Sequence, residues 1–313
     1  MMQYLSFLQE ACSRPAGKHF EERRKLVLGG GALSIAALVC PVIAVAQAQP
    51  SDGPRKINFA GRQRMLIQRA GKFVCLAGLS PDPLPLLAAA EETLELHHRT
   101  EIGLRNGDEG LGLEPETNAL VLNALMHASD AFAPFGEVIY DAIEHHAVGP
   151  GDLQKIALLN GSALNAMDAA VSIIERVYNS DELSERLAML INISGRLRMF
   201  TQRMVLQLCL YRSGNRSDGS LQDFFTTMNR FSISLNILRR VTPAAVSGEK
   251  RAPIIEALDM ARRDWETLGA LMSRAIRPAS IHSFDDMRDI DRRAENQLGK
   301  LNEIVLLYEG VAA

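Results

Sequence analysis

Apolar residues recur along this chain at helical spacing. Leu120, Leu122, Leu125 and Met126, and again Ile254, Ile255, Leu258 and Leu268, follow the i, i+3, i+4, i+7 rhythm of amphipathic helices, and no period-two strand pattern occurs. Breaks fall at Leu79-Ser80-Pro81-Asp82-Pro83, Asn106-Gly107-Asp108-Glu109-Gly110, Gly149-Pro150-Gly151, Ser213-Gly214-Asn215, and Pro243 with Ser247-Gly248. These are Gly/Pro/Asn punctuation between helices. The pattern predicts an all-α fold.

The helices come in two sets. Ile57-Asn58-Phe59-Ala60-Gly61-Arg62-Gln63-Arg64-Met65-Leu66-Ile67-Gln68-Arg69 is answered by Ile191-Asn192-Ile193-Ser194-Gly195-Arg196-Leu197-Arg198-Met199-Phe200-Thr201-Gln202-Arg203, and the match runs on to Cys75-Leu76 against Cys209-Leu210. The offset is 134 throughout. Duplication explains this economically. Downstream, Ala88–Leu104 answers Leu221–Val241, Leu120–Glu144 with Phe132 answers Ile254–Arg274 with Trp265, and Leu158–Tyr178 with Asn165 answers Ile290–Tyr308 with Asn296. Each copy thus reads as four helices. The expectation is two tandem up-and-down four-helix bundles, over residues 57–179 and 180–313, related by a pseudo-two-fold through their first helices. Asn179-Ser180-Asp181 supplies the cap of a helix Glu182–Tyr211 that opens the second unit.

Ahead of the first unit, residues 49–56 read as a linker and residues 1–48 as an export signal or anchor. Glu21-Glu22-Arg23-Arg24-Lys25 precedes the uncharged run Leu26–Ala46, which ends in Ala44-Val45-Ala46 and Ala46-Gln47-Ala48, small-residue cleavage sites. The arginine pair fits a twin-arginine signal as well as an ordinary secretory one. An uncleaved anchor is the third reading, because such a run spans roughly 31 Å as a helix. All three place the remainder in the periplasm. No second apolar run of about 20 residues follows, so no output module is expected within the chain.

Composition narrows the chemistry. Hydrophobic residues make up 47% of the chain, enough for buried cores, and the net charge of -3 gives no general pull toward nucleic acid. Attraction for anions must therefore be local. Cysteines at 12, 40, 75 and 209 make no CxxC pair, and adjacent histidines His97-His98 and His145-His146 diverge by about 100° on a helix. Neither metal nor cofactor is expected. No nucleophile, P-loop or dinucleotide motif is present, so the chain does not read as an enzyme.

On the duplicated helix, Ile57, Gly61, Arg64, Gln68, Gly71 and Cys75 share one stripe, as do Ile191, Gly195, Arg198, Gln202, Val205 and Cys209. This is a heptad seam filled with small and polar residues. Gly61 and Gly195 leave room for a close approach, and Arg64 and Arg198 are predicted to face each other there. Neither helix carries an Asp or Glu near its arginines, so a small anion held by guanidinium forks, with Gln68 and Gln202 adding amide donors, is one way to neutralise them. Carboxylates on neighbouring helices, such as Glu91, Glu92, Glu137 or Asp264, are the other. Arg62, Arg69, Arg196 and Arg203 lie off the stripe and read as structural. Cys75 and Cys209 occupy equivalent seam positions, open to a disulfide or to two buried thiols.

The Ile-Asn-x-Ala/Ser-Gly-Arg-x-Arg-Met-x-x-Gln-Arg motif resembles the PilJ-type N-terminal domain of type IV pilus methyl-accepting chemotaxis transducers. It is also similar to the periplasmic segment of NarX-type nitrate/nitrite sensor kinases. The resemblance implies nitrate or nitrite as ligand, at the arginines preceding Met65 and Met199, and pairing of the motif helices within one chain or across a homodimer. It implies a periplasmic anion sensor or binding protein that works through a membrane-bound signalling or transport partner. A helical interaction module of a membrane signalling or pilus-related complex, binding no small ligand, is the alternative.

Overall fold

Pro54 can open a helix because its missing N–H would be unpaired there in any case, and it lies in the first turn of α1, Gly53–Leu79. In this computed structural model, which describes residues 52–178, 185–215, 219–277 and 284–312, seven further α-helices follow. They are α2 (Leu84–Asn106), α3 (Ala119–Glu144), α4 (Pro150–Tyr178), α5 (Glu185–Arg212), α6 (Ser220–Ala245), α7 (Arg251–Ala275) and α8 (Phe284–Ala312). No strand occurs among the described residues, as the apolar rhythm predicts. Asn118 caps α3, its side-chain oxygen accepting from the Leu120 and Val121 amides. The segment read as a linker is shorter than expected: Gly53–Lys56 already belong to α1. The leader and the Asn179–Asp181 cap lie outside the described residues.

Helices α1 to α4 close a ring, each packed on the next and α4 back on α1, and α5 to α8 do the same. The rings meet along α1 and α5, and α8 also reaches α1. Helices α1 and α5 are therefore buried on nearly every face, which no other described helix is. They run parallel and in register. Cys75 and Cys209, 134 residues apart, form a disulfide with their Cα atoms 6.1 Å apart. Helix α4 has the length and hydropathy of a membrane span, yet Ile156, Leu164, Met167 and Val171 are core residues of the first ring.

The second point of anchorage between the rings is ionic. Arg69 and Lys72 on α1 reach Glu295 on α8 at 2.8 and 2.6 Å, and Lys72 also meets Asp291 at 2.6 Å. Lys72 is wholly buried, so this cluster must be nearly complete to be tolerated. The two cations and burial have opposite effects on Glu295, and its carboxyl settles at about 2.

Histidine marks another difference between the rings. His97 is buried and stacks on Phe132 with ring centroids 4.0 Å apart, where the second ring stacks Phe231 on Trp265 at 4.3 Å. Burial pushes the His97 imidazole down to about 4. The paired-histidine motifs do not converge: His145 and His146 are exposed at the end of α3, and among the described residues no cluster of His, Cys, Asp or Glu could hold a metal.

Two outcomes test this packing. Replacing Cys75 and Cys209 with alanine removes a cross-link spanning 134 residues and is expected to lower stability by about 4 kcal/mol in urea unfolding. The unfolded chain protonates His97 near pH 6.5 and the fold only near 4, so stability falls as pH drops through that window, by about 3 kcal/mol from this group. In His97→Phe that part of the acid loss should vanish, as read by unfolding midpoints between pH 7 and 4.

Candidate functional site

Gly61 and Gly195 set the geometry of the seam. A Cβ on Gly61 would lie 3.4 Å from the Arg64 guanidinium and 3.8 Å from that of Arg198, and one on Gly195 would lie 3.5 Å from Arg198 and 3.7 Å from Arg64. Both guanidiniums therefore fold over the glycine gap and converge. Arg64 is 0% exposed and Arg198 3%. Two like charges so close and so dry require compensation from the surrounding helices.

Part of that compensation crosses the seam symmetrically. Arg64 Nη2 donates to Asn192 Oδ1 at 2.9 Å, and Arg198 Nη2 donates to Asn58 Oδ1 at 2.7 Å and to the Asn58 carbonyl at 3.2 Å. Each asparagine lies next to a glutamate, Asn192 donating to Glu175 at 2.5 Å and Asn58 standing close enough to Glu309 to oppose the upward push of burial on its carboxyl. Glu175 and Glu309 are themselves 134 positions apart, so the duplication extends in register to the last helix of each ring. The register replaces the expected pairing of Asn165 with Asn296, which are 131 apart.

The symmetry ends at the next partner. Arg64 Nη1 forms an ion pair with Asp168 on α4 at 2.5 Å, while Arg198 Nη1 donates to the neutral Asn302 on α8 at 3.3 Å. Asp168 and Asn302 are again 134 apart. The first ring thus carries a carboxylate where the second carries an amide. Burial lowers the Arg64 pKa and Asp168 opposes the effect. Burial, joined by Arg62 and Arg64, brings Arg198 down to about 9, with Glu309 the one group opposing it. It remains a cation at neutral pH.

The glutamines differ in the same sense. Gln68 and Asn160 exchange amide hydrogen bonds of 2.6 and 3.2 Å. Gln202 is fully buried and neither amide atom finds a partner, because the position corresponding to Asn160 is Ala294. The Nε of each seam arginine is likewise without a hydrogen-bond partner. Beside Arg198 opens a cavity of about 540 Å³ between α1, α2, α5 and α8, bordered also by Asn58, Asn302 and Glu309.

The arginines off the stripe are engaged in structure. Arg62 donates to Thr100 Oγ1 at 2.7 Å and lies over the Phe59 ring, with burial lowering it to about 10. Arg69 belongs to the Glu295 cluster, and Arg196 stands 3.7 Å from Asp168. Burial lowers Arg203, which Asp223 partly offsets. The carboxylates that meet the arginines of the two motif helices are Asp168, Glu175, Glu295 and Glu309, with Asp223 near Arg203, not Glu91, Glu92, Glu137 or Asp264. These four sit on the fourth helix of each ring and Asp223 on α6, which no spacing on the motif helix could reveal.

Residues 182–284, spanning α5 to α7, match the PilJ family, described as the type IV pili methyl-accepting chemotaxis transducer N-terminal domain. No curated protein and no solved structure matches the chain.

The asymmetry predicts unequal mutants. Asp168→Asn strands a fully buried cation and should cost about 2–3 kcal/mol, less than a wholly buried pair because the Asp168 side chain is 44% exposed. Asn302→Ala removes one neutral partner and should cost about 1 kcal/mol. Equal losses in thermal unfolding would contradict the assignment of Asp168 as the neutralising group.

Proposed function

We propose that this chain, a PilJ-type transducer domain over residues 182–284, is a sensory module of a membrane signalling complex that responds to a small oxyanion at its Arg64/Arg198 centre. Nitrate or nitrite is the first candidate, on the strength of the motif that precedes Met65 and Met199. One observation carries the reading: two guanidiniums meet in a dry seam, and among the described residues a carboxylate at ion-pair distance answers only Arg64. A planar oxyanion with bidentate acceptors suits the remaining charge. Gly61, Gly195, Gln68 and Gln202 belong to this centre as the gap and the amides that border it. Nothing in the centre resembles a nucleophile beside a base, and the reading is not enzymatic.

The same architecture suggests how binding is passed on. The disulfide fixes α1 against α5 eleven residues beyond the arginines, roughly 16 Å along the helix. A ligand that alters the repulsion between Arg64 and Arg198 changes the separation of the helices at their free ends, where α1 begins. A shift of 1–2 Å there is of the size that helix-borne signalling uses. The buried disulfide also fits an oxidising compartment such as the periplasm.

Helix α6 supports a second reading, a docking module, since it exposes Leu221, Phe225, Ile233 and Ile237. Titration calorimetry of the full chain with nitrate, nitrite and phosphate separates the two. Heat that disappears in the Arg64→Ala, Arg198→Ala double variant is expected. Absence of heat with all three anions, or affinity untouched by the double variant, would reject the sensor reading in favour of docking.

A further inference from the structure

The two halves of the centre are unequal in charge, and the inequality lies beside the cavity. In the first ring, Arg64 and Arg196 face Asp168 and Glu175. At the corresponding positions of the second ring, Arg198 and Arg62 face Glu309 and the uncharged Asn302. One negative charge is missing. The cavity that opens on this half is bordered by Arg55, Arg62, Arg69 and Arg198 against Glu295 and Glu309, and Glu295 is already shared between Arg69 and Lys72. A surplus of positive charge thus borders a recess of about 540 Å³, ample for an ion of three to five heavy atoms.

Resting on the sensor reading above, we infer that the anion site is one-sided: the chain takes a single small oxyanion at Arg198 from this cavity, while Asp168 closes Arg64 to ligand. Asp168 serves Arg64 as a fixed internal anion that an incoming one would have to displace against its own charge. Asn302 presents no such barrier. Its amide carries both donor and acceptor, so rotation about the terminal bond exchanges the oxygen now facing Arg198 for N–H groups that can join Arg198 on an anion. Arg198 holds three hydrogen bonds, all to neutral acceptors, which leaves two of its five N–H groups, the Nε and one on Nη1, for the ligand. Asn58 couples the site to Glu309, the one carboxylate that opposes the Arg198 shift, so the ligand completes a neutralisation that Glu309 begins. The ligand class is a monovalent oxyanion, since one charge is missing.

The closing experiment is calorimetric stoichiometry on the full disulfide-bonded chain with nitrate, nitrite and phosphate, comparing wild type, Arg198→Gln and Asn302→Asp. One anion per chain is expected for the wild type, none for Arg198→Gln, and an affinity at least about tenfold weaker for Asn302→Asp, which supplies the second ring with the carboxylate the first ring has. Asn302→Asp should also unfold at a higher temperature than wild type, which shows the variant to be folded and the new ion pair formed. Two anions per chain, or undiminished affinity in Asn302→Asp, overturns the one-sided site and leaves the sensor reading standing. No heat with wild type removes the sensor reading itself.

Discussion

Two guanidinium groups share a seam from which water is excluded, and the arrangement of the surrounding helices follows from how that charge is met. Arg64 and Arg198 converge over Gly61 and Gly195, where a Cβ at either glycine would stand in van der Waals contact with both guanidiniums. Their mutual repulsion and lost hydration would open the seam if left alone. Asparagines from the opposite motif helix take one end of each group, and the fourth helix of each ring comes in to complete the shell. The contacts of α4 with α1 and of α8 with α5 thereby close both rings and solvate the arginines.

The two halves share one framework in register at 134 residues and differ in the side chains that complete it. Asn160 satisfies Gln68, but Ala294 leaves Gln202 without a partner. Lys72 ties α1 to α8, whereas its counterpart Leu206 has no charge to offer. His97 takes the place of Phe231 in the aromatic stack. These substitutions concentrate satisfied polar contacts in the first ring, while in the second the buried Arg198 borders a cavity. The match of residues 182–284 to the PilJ domain falls on the half with the open cation.

The disulfide and the arginine centre act on the same pair of helices at different heights. The covalent link at one height and the buried core on either side resist sliding of α1 past α5. The disulfide and the Lys72–Glu295 cluster thus hold the first ring to the second on the same side of the arginine centre.

Much of this was legible in the amino-acid sequence. Helical period, punctuation and the 134-residue repeat determine an all-α chain with two copies of one motif helix, and the stripe through Gly61, Arg64, Gln68 and Cys75 identifies the seam, because those features depend only on spacing along one helix. What spacing could not reach is which residue from a distant helix stands opposite each arginine. That Asp168 answers Arg64 while Asn302 answers Arg198, that Glu295 gathers Arg69 and Lys72, and that a cavity opens beside Arg198 were decided by the closure of the rings. Charge compensation in a buried site is a property of three-dimensional neighbours, and the nearest carboxylate to Arg64 lies 104 residues away in the chain.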